Sequence, residues 1–283
     1  MKRIGNILGR RVRGDIDLGL ASNRSKTVRL GVNAPDWARI LTPGGQLPGG
    51  VWQDIYTQSA TQNFRQGTRM AIDDRVFHYG YSGEALIRMM GAYNHDQWPI
   101  NAALLTAAVI GQATITVPEA TCIADEYAGG SIVLFTGVLQ ERRIIGNDAS
   151  DGTEAILYLD GAWELGAVIG TWVTGYRSIY ANIQAPPAPN PDYMSFVCVP
   201  RINVLINRWF WGQTWGPCYG VADSTVPGST ANARDVYFAT SGNLLAAGAG
   251  VGFAAYGHQR AGYLIPRCTF GNGDQHYMLQ LQP

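Results

Sequence analysis

The stretch "NRWFWGQTWGPC", residues 207–218, carries three of the eight tryptophans of the chain within a few positions of one another. Successive side chains of a β-strand point to opposite faces, so Trp209 and Trp211 would share one face and Phe210 would take the other. Two neighbouring tryptophans on one face bury a large apolar area. The pattern therefore predicts a strand at the centre of a β core. A tryptophan platform for sugars is the alternative.

The third tryptophan stands in a different context. Trp215 follows "GQT" and directly precedes Gly216 and Pro217, two residue types that favour turns. We therefore expect Trp215 in a turn-like position after the strand. Trp209, Trp211, Trp215, Gly216 and Pro217 together make up the structural motif of this region.

The segments on both sides of this stretch favour short strands. Apolar runs such as "ATITVP" (113–118), "SIVLFTG" (131–137) and "AILYLD" (155–160) are separated by turns rich in Gly, Asn and Asp. "GTRMAIDDRVFHYG" (67–80) has the pattern of a β-hairpin with Asp73-Asp74 at its turn. Short strands at such spacing are typical of a sandwich or a barrel. The expected fold class is mainly β, with one or more sandwich-like or barrel-like domains.

Two segments favour short helices beside the strands. "SGEALIRMMGAYN", residues 82–94, offers Ser82 as an N-cap and Gly91 as a stop. "NAALLTAAVI", residues 101–110, fits either a second helical turn or a buried loop. We therefore expect short helices in an otherwise β-rich chain.

The first 60 residues have a different composition from the rest. They lack sustained hydrophobic periodicity, and "TPGGQLPGG" (42–50) disfavours both helix and strand. We predict an extended arm over residues 1–60 that a neighbouring molecule orders, with a disordered tail as the alternative. Beyond it we expect a β domain over 61–185, a proline-rich connector over 186–192, and a β region over 193–283. That last region either packs with 61–185 as one domain or stands apart.

Charge is scarce and unevenly placed. Charged residues make up 15% of the chain, against roughly 25% in ordinary soluble domains. Residues 1–30 hold eight basic and two acidic side chains, so the remainder of this neutral chain is acidic. Low charge with many glycines and aromatics indicates a protein much of whose surface is covered in an assembly.

The basic residues of the arm are candidates for contact with a partner, because arginine keeps its charge and makes bidentate contacts at interfaces. A composition bias of the encoding genome is the plain alternative. The acidic remainder argues against a dedicated nucleic-acid-binding module, although arginines can contact phosphates. The predicted partner-binding residues are Arg10, Arg11, Arg13, Arg24, Lys26 and Arg29.

We find no motif for catalysis or metal binding. The four cysteines form no CxxC pair and the four histidines form no HxH or HExxH pair. The acidic pairs Asp73-Asp74 and Asp125-Glu126 fit solvated turns better than the converging carboxylates of a glycosidase. We therefore expect reduced thiols and no catalytic, cofactor-binding or metal-binding residue. The chain shows neither a signal peptide nor an apolar run of ~18 residues, which predicts cytosolic synthesis without membrane insertion.

Two blocks of the sequence resemble structural proteins of tailed bacteriophages. The first is "TQNFRQGTRMAIDDRVFHYGYSG", residues 61–83, and the second is "FVCVPRINVLINRWFWGQTWGPC", residues 196–218. Residues 90–112 depart from the pattern, being longer and more apolar. The matching positions of the first block are Gln62, Phe64, Gly67, Thr68, Arg69, Asp74, Arg75, Val76, Phe77, Tyr79 and Gly83; those of the second are Trp211, Gln213, Gly216 and Pro217.

This resemblance implies a capsid decoration protein, also called a cement protein. Such a protein would bind the outside of the shell of the major capsid protein in the virion, stabilise it and associate with itself as a homotrimer. Neither block resembles a catalytic motif, so the resemblance implies no enzyme. A head fibre or a virion protein that binds a glycan or receptor is the alternative function. A hydrolase acting on cell-surface polysaccharide is the third.

Overall fold

A computed structural model describes residues 46–47, 49–94, 100–186, 194–223, 227, 234–246, 258–265 and 275–282. The chain divides into two compact units. Unit 1 combines the described residues up to Tyr93 with those from Asn182 onward, and unit 2 spans Asn94–Ala181. The six basic residues predicted to bind a partner and the connector residues after Pro186 lie outside the described part of the chain.

The protein is mainly β, as the sequence predicts. Unit 1 holds a ten-stranded sheet and unit 2 a six-stranded sheet. The strands of unit 1 are β1 Gln58–Ser59, β2 Arg69–Ile72, β3 Arg75–Ser82, β4 Ala92–Asn94, β11 Ser195–Pro200, β12 Arg208–Tyr219, β13 Asp235–Phe238, β14 Leu244–Ala246, β15 Arg260–Leu264 and β16 His276–Gln280. The strands of unit 2 are β5 Ile100–Ala103, β6 Thr114–Pro118, β7 Ser131–Phe135, β8 Leu139–Asn147, β9 Glu154–Leu159 and β10 Trp172–Tyr176.

The tryptophan-rich stretch is the central strand of unit 1, so the core-strand prediction is confirmed. β12 pairs antiparallel with β3 along one edge, and with β1, β11 and β16 in succession along the other. Trp211 is fully buried and packs in an aromatic cluster with Phe64 and Tyr79, while Trp209 is half-buried against the same cluster. The side-chain alternation predicted from the sequence therefore places both rings on one face of the sheet.

The turn-like position expected for Trp215 is wrong. Trp215 lies within β12, opposite Val76 on one edge and Gln280 on the other, beside a β-bulge that starts at Gln213. Gly216 keeps the strand going with φ of +94°, and a Cβ there would stand 2.3 Å from the carbonyl oxygen of Asp74. A bulge adds twist without ending the ladder, so glycine and proline here bend the strand instead of turning the chain.

The hairpin prediction is confirmed, whereas the short helices are wrong. β2 and β3 pair in register across the turn at Asp73, which has φ of 54°. Ser82 ends β3 and caps no helix: its hydroxyl donates to the carbonyl of Leu205 (2.7 Å) and accepts the N–H of Arg208 (2.9 Å). Because these long-range hydrogen bonds already engage the Ser82 hydroxyl, it does not cap the backbone N–H groups at the start of a helix. None of the residues that the structure describes lies in a helix, and 101–110 forms the end of β5 followed by a loop.

The predicted arm is too long. Residues 49–60 belong to unit 1, where Ile55 is buried in the aromatic cluster. The buried amide of Gln53 donates to the carbonyl of Trp209 (2.9 Å) and accepts from the Tyr79 hydroxyl (2.8 Å). The buried side chains of Ile55 and Gln53 therefore hold this extended segment to unit 1. Hydrophobicity averaged over a window of residues does not detect such single buried positions.

The units also differ from the predicted boundaries. The expected domain over 61–185 is divided at Tyr93, because β2 and β3 join β12 of the later chain segment. Residues 94–181 form a unit of their own, which is inserted in the sequence between the two segments of unit 1.

Unit 2 is a curled antiparallel sheet with its own core. Its strand order is β5-β10-β7-β8-β9-β6, and the two edge strands β5 and β6 lie against each other, which gives the sheet the form of a half-barrel. Its buried core comprises Ile100, Leu104, Ala108, Ile115, Val117, Cys122, Tyr127, Ile132, Leu134, Ile144, Ala155, Leu157, Leu159, Trp163, Ala167 and Val173.

Candidate assembly surface

Three chain connections meet at one end of unit 2. All neighbouring strands of its sheet are antiparallel, so the ends of β5, β7 and β9 lie at the same side. The connections that start there span residues 104–113, 136–138 and 160–171. The chain enters β5 and leaves β10 at the opposite end of the sheet.

The first and third connections contain the same tetrapeptide, Ala-Val-Ile-Gly, at Ala108–Gly111 and Ala167–Gly170. The two copies run antiparallel: Ala108 donates to Ala167 (2.9 Å) and Ala167 donates back to Ala108 (2.8 Å). Gly111 (φ 81°) donates to the carbonyl of Trp163, and Gly170 (φ 87°) donates in the same way to that of Leu104. Positive φ favours glycine at both turns. The pair is therefore a locally two-fold arrangement with matched hydrogen bonds.

The inward side chains of this pair anchor it to the core. Leu104, Ala108, Trp163 and Ala167 are buried, and the indole N–H of Trp163 donates to the carbonyl of Thr114 (3.2 Å). The next two residues of each tetrapeptide lie in the turn that follows the bridged alanine and precedes the glycine, so their side chains are exposed. Valine and isoleucine therefore stand at the outside of both tetrapeptides.

The exposed side chains of these connections and of the adjoining strand ends are apolar, and together we call them the apolar end. Val168 is 75% exposed and Ile169 66% exposed. Phe135 pairs directly with Leu139 across β7 and β8, and Trp172 directly precedes Val173, which pairs with Leu134 on β7. The exposed members are Leu105, Val109, Ile110, Phe135, Val138, Leu139, Leu165, Val168, Ile169 and Trp172.

A buried amide fixes the third connection to the sheet. The side-chain oxygen of Gln140 accepts the N–H groups of Glu164 (2.9 Å) and Leu165 (3.0 Å), and its NH₂ donates to the carbonyl of Leu165 (3.0 Å). Three hydrogen bonds from one buried side chain leave this loop little freedom. The apolar end is thus held in shape by the unit itself.

A shallow polar groove of about 630 Å³ lies between β8 and the connection 160–171, next to the apolar end. The Arg142 guanidinium donates to the carbonyl of Ala162 through Nε (3.0 Å), contacts the carboxylate of Glu164 (3.1 Å) and lies 5.7 Å from the ring centre of Trp163. Its role is therefore to hold the loop 160–171 against β8. Asp160 and Glu164 are the only charged residues in the sequence of the three connections.

The predicted structural motif lies in unit 1 and takes no part in the apolar end. The indole N–H of Trp211 donates to the carbonyl of Gln53 (2.8 Å), and Trp209 stacks on Tyr79 with ring centres 5.6 Å apart. Tyr81 packs against the same Trp209 ring. Both tryptophans thus make their principal contacts within unit 1.

The candidate ionisable groups are dispersed. His78 is buried and bonds Thr214 (3.0 Å), and burial lowers its pKa to about 4, with the Arg69 charge acting in the same direction. Asp73-Asp74 occupies the hairpin turn, while Glu126 pairs with Arg177 in unit 2. Cys198 and Cys218 are buried thiols whose pKa values are raised by loss of solvation. The described residues contain no group of three or more ligand-type side chains placed to hold a metal ion.

Sequence reasoning missed the apolar end. The usable signal was the repeated Ala-Val-Ile-Gly, which is too short to register as an internal repeat, together with the apolar character of 90–112. Whether such a loop is exposed depends on the strand order, which the pattern does not contain.

Comparison with protein-family profiles, with curated proteins and with solved structures found no match to this chain. Within the described ranges no helix has the length and hydropathy that crossing a membrane requires.

Proposed function

We propose that this protein is a structural component of a tailed-phage virion, which decorates the capsid by binding the outside of the major capsid protein shell and stabilises it. The observation that carries the proposal is the apolar end, because an exposed apolar surface of this extent marks a protein that works within an assembly. The resemblance of residues 61–83 and 196–218 to phage structural proteins supplies the kind of assembly.

The size of the apolar end supports an assembly role. From their exposed fractions, its ten side chains present on the order of 1,000 Å², whereas the largest apolar patch on a typical monomer measures ~300–600 Å². A standard protein interface buries about 800 Å² on each partner. The apolar end is therefore large enough for one complete interface.

The two blocks that carry the resemblance are neighbours in space. β3 of the first block pairs with β12 of the second, with Tyr79 opposite Trp211 and Phe77 opposite Gln213. Residues far apart in the sequence thus form one piece of sheet around the aromatic cluster. This supports interpreting both blocks as a single structural element of the same kind of protein.

The stabilising effect would arise by mass action. A protein that binds the expanded shell and not its separated subunits stabilises the shell by ~2.7 kcal/mol per site at a hundred times the dissociation constant. A homotrimer that spans several capsomers would add such contacts across the seams that internal pressure opens. The basic arm over residues 1–45, which precedes the described residues, is our candidate for reaching neighbouring subunits, and its deletion should weaken shell binding.

Reconstitution on shells that lack this protein tests the proposal. Purified chain is added to expanded capsids of the phage that encodes it, and the shell melting temperature is measured against chain concentration. We expect saturable binding and a melting temperature that rises with concentration. The absence of binding to such shells, with the chain folded, would contradict the proposed function.

A further inference from the structure

We propose that the apolar end of unit 2 is where copies of this chain bind one another. The inference rests on the proposed function for the claim that this end is an assembly surface, and it adds what covers that surface: a second copy of the chain and not the capsid shell.

The charge distribution favours a copy of the same chain as the occupant. Copies that meet at the same end, around a two-fold or a three-fold axis, bring identical side chains close together, so any net charge there would oppose itself. The ten members of the apolar end carry no charge. The two carboxylates in its connections have local partners, since Glu164 contacts Arg142 and Asp160 accepts the N–H of Arg143 (3.0 Å). Copies can therefore meet here without like-charge repulsion.

The area agrees with a symmetric interface. Each copy would contribute on the order of 1,000 Å², and stable interfaces bury ~1,200–2,000 Å² over both partners. Homo-oligomer interfaces are also more apolar than those between transient partners. The apolar end has both the extent and the composition of such a contact.

The surface is ordered before it binds. The Ala108–Ala167 hydrogen bonds and the three bonds of Gln140 fix the loops. Val168 and Ile169 are β-branched and keep few side-chain rotamers. Association therefore loses little conformational freedom, which raises the affinity available from a given contact area.

A lipid surface fits these observations less well. Anionic membranes attract clusters of exposed basic residues, whereas the polar groove beside the apolar end has Glu141, Asp160 and Glu164 next to Arg142 and Arg143. The lipid alternative is accordingly an outcome of the test below.

The test compares single charge insertions on the full chain by sedimentation. Ile169→Asp and Ile110→Asp place a carboxylate on either tetrapeptide, at positions 66% and 61% exposed, so neither change disturbs the core. Ile123→Asp is the matched control, since Ile123 is 70% exposed on the connection at the opposite end of the same unit. Circular dichroism of each variant checks that the fold is kept.

We expect wild-type chain and Ile123→Asp to sediment as the same oligomer, and both end variants to shift toward the 30.7 kDa monomer. An uncompensated buried carboxylate should raise the dissociation constant by about 100-fold or more. A wild-type chain that stays monomeric at ~50 μM, some 50-fold above a dissociation constant of about 1 μM, would overturn the inference, as would end variants that keep the oligomer. A monomer that binds neutral lipid vesicles through Ile169 would assign the end to a membrane and overturn it too.

These outcomes separate the inference from the proposed function. If the wild-type chain is monomeric yet binds and stabilises expanded shells, the apolar end contacts the capsid. The self-association inference is then refuted, while the proposed function stands. If the chain forms the oligomer through this end but does not bind shells, the decoration role fails and the inference stands.

Discussion

Replacing Trp211 by alanine should cost unit 1 more stability than any other change on β12. The side chain is 1% exposed and packs with Phe64 and Tyr79 at ring-centre distances of 5.1 and 4.9 Å. Truncating a buried tryptophan costs ~3–5 kcal/mol. The carbonyl of Gln53 also loses the indole N–H that lies 2.8 Å away, which adds about 1 kcal/mol.

Two matched variants separate these contributions. Trp211→Phe keeps much of the buried area and removes the indole hydrogen bond, so it should cost ~1–3 kcal/mol. Trp209→Ala removes a half-buried ring that stacks on Tyr79, and should cost about 2 kcal/mol from partial burial and the lost ring pair. Trp211→Ala is therefore expected to be the most destabilising of the three.

Hydrogen exchange measured by mass spectrometry on peptides from β3 and β12 reports the stability of unit 1 directly, and urea unfolding gives the sum over both units. Two units can unfold separately, so a single transition is not assumed. A Trp209→Ala cost equal to or above that of Trp211→Ala would show that the aromatic cluster is not centred where the structure places it.

Three further outcomes follow from single positions. Gly216→Ala should cost more than ~2 kcal/mol, since φ is +94° and the new Cβ meets backbone, whereas Gly111→Ala, with φ of +81° and open space, should cost about 1 kcal/mol; equal losses of unfolding free energy, each measured by hydrogen exchange in the unit that carries the change, would refute this. Burial holds the pKa of His78 at about 4 against 6.5 for the free side chain, so the unfolded chain binds the extra proton. The contribution of His78 to the free energy of unfolding is therefore at its maximum above pH 6.5 and falls by about 3 kcal/mol between pH 6.5 and pH 4. His78→Gln should remove this fall, as measured by urea unfolding at each pH. Gln140→Ala should speed amide exchange at Glu164 and Leu165 by roughly 10-fold or more, because each loses a hydrogen bond of about 1 kcal/mol and the loop is released; unchanged exchange would mean that the loop is held by other contacts.

The local parts of the fold follow from the sequence. The alternation around Trp211 predicts a central strand, and the Asp73-Asp74 pair predicts the hairpin, because both depend on residues within a few positions of each other. The helix expected from Ser82 fails for the opposite reason: its hydroxyl bonds Leu205 and Arg208, far along the chain. A capping residue is a signal for a helix only while its side chain has no better partner.

The candidate surface depends on tertiary arrangement. The tetrapeptides at 108–111 and 167–170 meet because β5 and β10 are neighbours in the sheet, and this pairing cannot be deduced from either segment alone. Val168 and Ile169 have the same apolar character as core residues, and only the strand order shows that they point outward. Buried and exposed apolar loops are thus indistinguishable by composition.

The most direct test of the proposed role is the number of copies in purified virions, measured by quantitative mass spectrometry against the major capsid protein. The account predicts a ratio near one, or one copy to three capsid subunits, as expected for a protein that covers the whole shell. A handful of copies per particle would indicate a neck or fibre component instead, and absence from virions would contradict the structural role.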